Sequence, residues 1–166
     1  TQCEFILQDV ESVLNWGLRV FARRGNWASR ARIEVDIMPM ILAPKDSYRL
    51  GLIADTHGYL PSDALEVFRA VDLILHAGDI GSAEILRSLE QAAPVVAVRG
   101  NMDGGPWTKC LPEKQSVQAG NLIIHLVHDL LHFRLEPGQD ARVAVVNGHT
   151  HRPLVERKNG VLFVNP

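Results

Sequence analysis
The chain has 166 residues, 46% hydrophobic and 22% charged, the balance of one ordinary globular domain rather than of a disordered chain. No run of about 18 apolar residues occurs, so a membrane-spanning helix is excluded. With 17 Lys+Arg against 19 Asp+Glu, the net charge of -2 argues against broad capture of nucleic acid.

Residues 1–45 differ in composition from the rest. Arg19, Arg23, Arg24, Arg30 and Arg32 stand close together without an acid among them. Such a stretch resembles an organelle transit peptide, but Glu4, Asp9 and Glu11 just upstream oppose that reading. The chain begins at Thr1, and Met38 and Met40 are candidate starts further in. The expectation is an N-terminal extension over 1–45 and a domain over 46–166. Cys3 and Cys110 are too few for a disulfide framework and fit a reducing compartment, with the cytoplasm as the expected location.

From Tyr48 onward, apolar runs alternate with helical spacing. Leu50–Ala54 reads as a strand buried on both faces. Pro61 suits a first helical turn, and Ala64, Leu65, Val67, Phe68 and Val71 continue the helix. Asp72–Ala77 is a second strand. Ser82 is positioned as an N-cap, followed by Glu84 in the first turn and by Ile85, Leu86 and Leu89 on one face. Pro94–Val98 is a third strand. The order β-α-β-α-β predicts a parallel arrangement with right-handed crossovers. Beyond about Lys114 the helical period vanishes. Ser116–Ala119 and Leu122–Val127 read as a hairpin about Gly120-Asn121, Arg142–Val146 as a buried strand, and Leu154–Val164 as a hairpin turning at Asn159-Gly160. The last of these strands, Val161–Val164, is expected to be a sheet edge. The fold class is therefore α/β, with a βαβαβ first half and a β-rich second half.

The polar residues fall at the strand ends. Asp55-Thr56-His57 follows the first strand, Gly78-Asp79 the second and Gly100-Asn101 the third. His128 closes the strand at Leu122–Val127, and Gly148-His149-Thr150-His151 follows Arg142–Val146. Loops at the carboxyl ends of strands converge on one edge of an open α/β sheet. Singly, each block is an ordinary turn or cap. Together they bring two Asp, one Asn and four His to one neighbourhood. Mixed carboxylate, carboxamide and imidazole donors suit Mn, Fe, Zn or Ni. The lack of Cys among them argues against a closed structural zinc site. Seven donors are too many for one ion and suit two.

These blocks resemble the calcineurin-like metallophosphoesterase superfamily, where Asp-x-His, Gly-Asp, Gly-Asn, His and Gly-His-x-His occur in this order. The resemblance covers residues 49–166. The short spacing and the Gly-Asn-Met-Asp form are most similar to its small bacterial and archaeal phosphodiesterase branch. It implies a β-sandwich flanked by helices. It also implies a metal-dependent phosphodiesterase working through a dinuclear centre and a bridging hydroxide. Asp55, His57 and His151 would hold one ion, Asn101, His128 and His149 the other, and Asp79 would bridge them. The implied cofactors are two divalent ions, manganese first, with nickel, zinc or iron as other choices. The implied partner is a small phosphodiester, with no membrane and no stable nucleic acid; a homo-oligomer is compatible with it. The alternatives are a non-catalytic scaffold on this fold, like the retromer subunit, or an inactive truncated product.

This chain departs from the family pattern in three places. Met102 stands where many members have a histidine that assists the leaving group. Asp129 follows His128 where a glycine is usual. The chain ends at Asn165-Pro166, where the family continues with Gly-Ser and a further strand, so a C-terminal truncation is expected. Among the remaining residues, His76 reads as a supporting or core residue and His125 as facing the other side of its strand. His132, Lys109 and Lys114 read as surface positions. Asp103 and Arg99 could orient a ligand or be a turn carboxylate and a solvated cation. Trp107 could line a pocket or be buried in its loop.

Overall fold
Three parallel strands carry the first half of the fold: β2 (Leu50–Ile53), β3 (Leu73–His76) and β4 (Val95–Ala97), paired in the order β2-β3-β4. The computed structural model describes residues 39–135 and 142–166. Strand β3 is central, and all four of its residues are buried. Its side chains alternate: Leu73 and Leu75 enter one apolar cluster, and Ile74 enters another. Burying such a side chain contributes about 1.5–3 kcal/mol, so β3 anchors two layers at once.

Two short helices lie on the Ile74 side. Helix α1 (Ser62–Phe68) begins after Pro61, whose fixed φ suits a helix start, and buries Phe68. Helix α2 (Ala83–Glu90) begins after an extended Ser82 and buries Ile85, Leu86 and Leu89. The Ser82 side chain makes no capping bond to the backbone, while Glu84 in the first turn complements the helix dipole.

The second half forms a six-stranded sheet. Strand β5 (Lys114–Ala119) pairs antiparallel with β6 (Leu122–Val127), and β7 (Arg142–Val146) lies parallel to β6. Strands β8 (Leu154–Lys158) and β9 (Val161–Asn165) form a hairpin whose turn residues Asn159 and Gly160 have φ of 50° and 83°. Positive φ at both central positions matches the twist of the strands it joins. Leu73, Leu75 and Ala77 pack against Ile124, Leu126, Ala144 and Val146, so the two sheets stack face to face around one core. The layers run helices, small sheet, large sheet. On the outer face of the large sheet, Val143, Val145 and Val161 pack with Leu130, Phe133 and Phe163.

Two features differ from, or add to, the sequence reading. The Val161–Val164 segment is not an edge: β9 lies between β7 and β8, and the edge is β8, all five of whose residues are exposed. The reason is non-local. Strand β9 pairs parallel with β7 in the register Ala144↔Leu162, which leaves its hairpin partner outside. The second feature is β1 (Met40–Ile41), which pairs parallel with β5. Next to it, Leu42 is 7% exposed and joins the central core, and Lys45 forms an ion pair with Asp72. The last residues of the expected extension are thus joined to the domain, while residues 1–38 lie outside the described residues. Among the described residues, no helix is long and apolar enough to cross a membrane.

Candidate metal centre
The loops after β2, β3, β4, β6 and β7 meet at one end of the stacked sheets. They are tied there by backbone bonds that prolong the strand pairing. Asp55 N–H donates to Gly78 O at 3.0 Å, His57 N–H to Asp79 O at 2.9 Å, and Gly58 N–H to Ile80 O at 2.8 Å. Within the large sheet, Gly148 N–H donates to His128 O at 3.1 Å, continuing the β6–β7 pairing. Two glycines permit the close approach. A Cβ on Gly148 would lie 2.8 Å from Asp55 Oδ2 and 2.9 Å from Ala54 Cβ, and a Cβ on Gly100 would overlap the Asp79 side chain.

The backbone here is strained. Six non-glycine residues among those described have positive φ, and five of them belong to the seven strand-end residues: Asp55 (55°), His57 (46°), Asp79 (51°), His149 (73°) and His151 (52°). Each costs on the order of 1–3 kcal/mol and persists where surrounding structure enforces it, as at functional sites. The sixth, Asn159, is a hairpin residue.

The donor atoms converge in two overlapping groups. Ligand atoms of Asp55, His57 and His151 lie within 4.8 Å of one another, and so do those of Asp55, Asp79 and His128. In the first group His57 Nε2 and His151 Nε2 stand 3.3 Å apart, and His151 Nε2 is 3.8 Å from Asp55 Oδ1. In the second, His128 Nε2 is 3.3 Å from Asp79 Oδ2. Asn101 Oδ1 is 2.9 Å from both His128 Nε2 and His149 Nδ1. All seven residues singled out in the sequence are therefore neighbours. Asp55 is common to both groups, and its two oxygens also accept the His149 N–H, each at 3.1 Å.

The surroundings set the donor roles. His128 Nδ1–H donates to Ala77 O at 2.8 Å, which leaves its Nε2 lone pair facing Asp79 and Asn101. Asp79 is 2% exposed, and its Oδ1 accepts the Met102 N–H at 2.8 Å, so Oδ2 is the oxygen turned toward His128. This set of carboxylate, carboxamide and imidazole donors fits divalent cations of intermediate softness. It is open to solvent on the His57 and His151 side, where a substrate could enter.

Other residues support the site in ways the sequence showed in part. His76 is fully buried, and burial is the main cause pushing its pKa down to about 4. Thr56 Oγ1 donates to Ile80 O and therefore accepts from His76 Nε2 at 3.0 Å, which makes His76 a neutral brace under the Asp55–His57 loop. The sequence reading missed Thr56, and also Asn147 and Asn165. Those two asparagines are buried and donate to Gly148 O, while Asn165 also donates to Thr150 Oγ1, which fixes the loop carrying His149 and His151. Their only signal was a position beside a strand end.

The remaining candidates have plainer placements. Arg99 pairs with Glu113 at the surface. Trp107 packs in the helix-side cluster. Asp129 Oδ1 accepts the Leu131 N–H and starts a 3-10 turn over Leu130–His132. His125 lies on the outer face of β6, bonded to Ser116 Oγ and packed against Phe133.

Residues 48–166 match the calcineurin-like phosphoesterase superfamily domain. The chain is 36% identical over 130 residues to a probable metallophosphoesterase of Methanocaldococcus jannaschii, covering 70% of this chain and 66% of that protein. It is 29% identical over 136 residues to a phosphodiesterase of the same organism, covering 71% of this chain and 82% of the relative. The solved structure of vacuolar protein sorting 29 from Cryptosporidium parvum superposes with a TM-score of 0.59 at 29% identity, over 70% of this chain and 72% of that one. The chain thus spans about two thirds of the length of the first of these relatives.

Proposed function
Because this chain belongs to the calcineurin-like phosphoesterase superfamily, we propose that it hydrolyses small phosphodiesters at a centre for two divalent ions. The observation that carries this reading is the strained convergence of donors: five of the seven strand-end residues hold positive φ, and their side chains meet at one rim. Folding free energy spent on that geometry needs a functional return.

In this reading Asp55, His57 and His151 hold one ion, and Asn101, His128 and His149 hold the other. Asp79, grouped with Asp55 and His128, would bridge the two ions, and Asp55, common to both groups of donor atoms, stands beside it. Asp79 is the most deeply buried of the three carboxylate and carboxamide donors. Its Oδ1 is committed to the Met102 N–H, which aims Oδ2 into the centre. Manganese is the first choice of ion, with nickel, zinc or iron as others. When bound, such a pair supplies a water of lowered pKa and compensates charge on the phosphoryl oxygens. The protein's own part is to hold the donors: Ala77 O fixes the His128 ring, and His149 N–H fixes the Asp55 carboxylate. Asn101 contributes a neutral donor and limits the negative charge of the second set. Met102, at 68% exposed, offers no proton to a departing oxygen.

The likeness to vacuolar protein sorting 29 supports a second reading, a non-catalytic scaffold. The retention of all seven donor residues favours the enzyme. The deciding experiment is hydrolysis of bis(p-nitrophenyl) phosphate with and without added manganese. Turnover that depends on the ion supports the enzyme. Bound ions with no turnover on any phosphodiester favour the scaffold.

A further inference from the structure
Asp103 is buried, at 8% exposed, on the loop after β4 that also carries Asn101. Its two oxygens are both committed to the backbone. Oδ1 accepts the Gly81 N–H at 2.9 Å, and Oδ2 accepts the Gly100 N–H at 2.9 Å. Gly81 lies two residues after Asp79 on the loop from β3, and Gly100 immediately precedes Asn101 on the loop from β4. One carboxylate therefore ties together the two loops that carry the proposed bridge and a proposed ligand of the second ion. The turn between Gly100 and Asp103 also presents the Met102 N–H to Asp79 Oδ1, so the same segment orients the bridge. Asp103 belongs to neither group of converging donor atoms.

We propose that Asp103 is a positioning residue that sets the spacing between Asp79 and Asn101 and thereby the metal affinity of the centre. Only a side chain with two acceptor oxygens satisfies both buried amides. An asparagine accepts one and turns its NH2 donor against the other. Partners one step removed from the ligands typically change metal affinity by about 10–100-fold. The inference rests on the metal-centre reading above.

The test uses the full 166-residue chain and its Asp103→Asn and Asp103→Glu variants. Two quantities are read: amide hydrogen exchange of the metal-free proteins, and Mn2+ affinity by calorimetry well below each thermal midpoint. Asp103→Asn is expected to lose protection at Gly81 or Gly100 and to bind Mn2+ at least tenfold more weakly. Asp103→Glu, which keeps both acceptors one methylene further out, is expected to regain protection at both amides and to bind with intermediate affinity. Unchanged protection at both amides in Asp103→Asn, or lost protection with unchanged Mn2+ affinity, overturns the proposal. Should the Asn variant not fold, unchanged affinity in a folded Asp103→Glu overturns it instead. If the unsubstituted chain binds no divalent ion, the reading of the site falls and this inference with it, a result distinct from failure of the positioning role alone.

Discussion

The Met102 N–H donates to Asp79 Oδ1 at 2.8 Å, while Asp79 Oδ2 faces His128 Nε2 at 3.3 Å. The two oxygens of one carboxylate thus have separate tasks, one anchored to a backbone amide and one turned into the centre. In Asp79→Asn the carbonyl oxygen can keep the Met102 bond, which leaves an NH2 group where a ligand oxygen is needed. Both ions should then bind more weakly, and turnover should nearly vanish. Substitution of His57 should mainly reduce one site. Metal analysis that finds two ions retained in the Asp79 variant contradicts the bridging role.

His76 gives a pH dependence. Its folded pKa is lowered by burial from 6.5 to about 4, so the folded state resists its protonation. Its contribution is full above pH 6.5 and is lost as pH falls from there through about 4. The shift corresponds to about 3 kcal/mol. Denaturant titrations of the metal-free protein and of His76→Gln between pH 8 and 4 should show a steeper loss of stability in the former. Parallel profiles would remove His76 as the cause.

Met102 predicts a dependence on leaving group. A general acid typically contributes about 10²–10⁴-fold, and a thioether contributes none. Aryl phosphodiesters with acidic leaving groups should react far better than those with basic ones, and Met102→His should flatten the slope. The measurement is kcat/KM across aryl diesters of rising leaving-group pKa. A flat dependence in the unsubstituted protein points to another acid or to a non-chemical limiting step.

Strand β1 predicts a boundary. A chain beginning at Pro39 keeps the pairing with β5 and the burial of Leu42, and one beginning at Asp46 loses both. Loss of a buried leucine costs about 2–5 kcal/mol, so the shorter chain should unfold at clearly lower urea concentration. Equal midpoints would show that β1 contributes no stability.

The convergence of the seven candidate residues was legible because its signals are local. Glycine, Asp, Asn and His after short apolar runs mark strand ends, and strand ends share one edge. The Asn159-Gly160 turn was legible for the same reason. Strand β1 was not, because two residues carry no periodicity and its partner β5 lies far along the chain. The interior position of β9 was hidden similarly, since it depends on pairing with β7 across the His149 loop. The partners of Asp103 and of His128 Nδ1 are backbone groups, which every residue carries and no sequence pattern distinguishes.

The seven strand-end residues should together hold two divalent ions. Native mass spectrometry of the full chain titrated with Mn2+ tests this most directly, alongside the same titration of Asp79→Asn. Two ions per chain are expected at saturation, falling to one or none in the variant. A folded chain that takes up no ion, or two ions bound equally well by the variant, would contradict it.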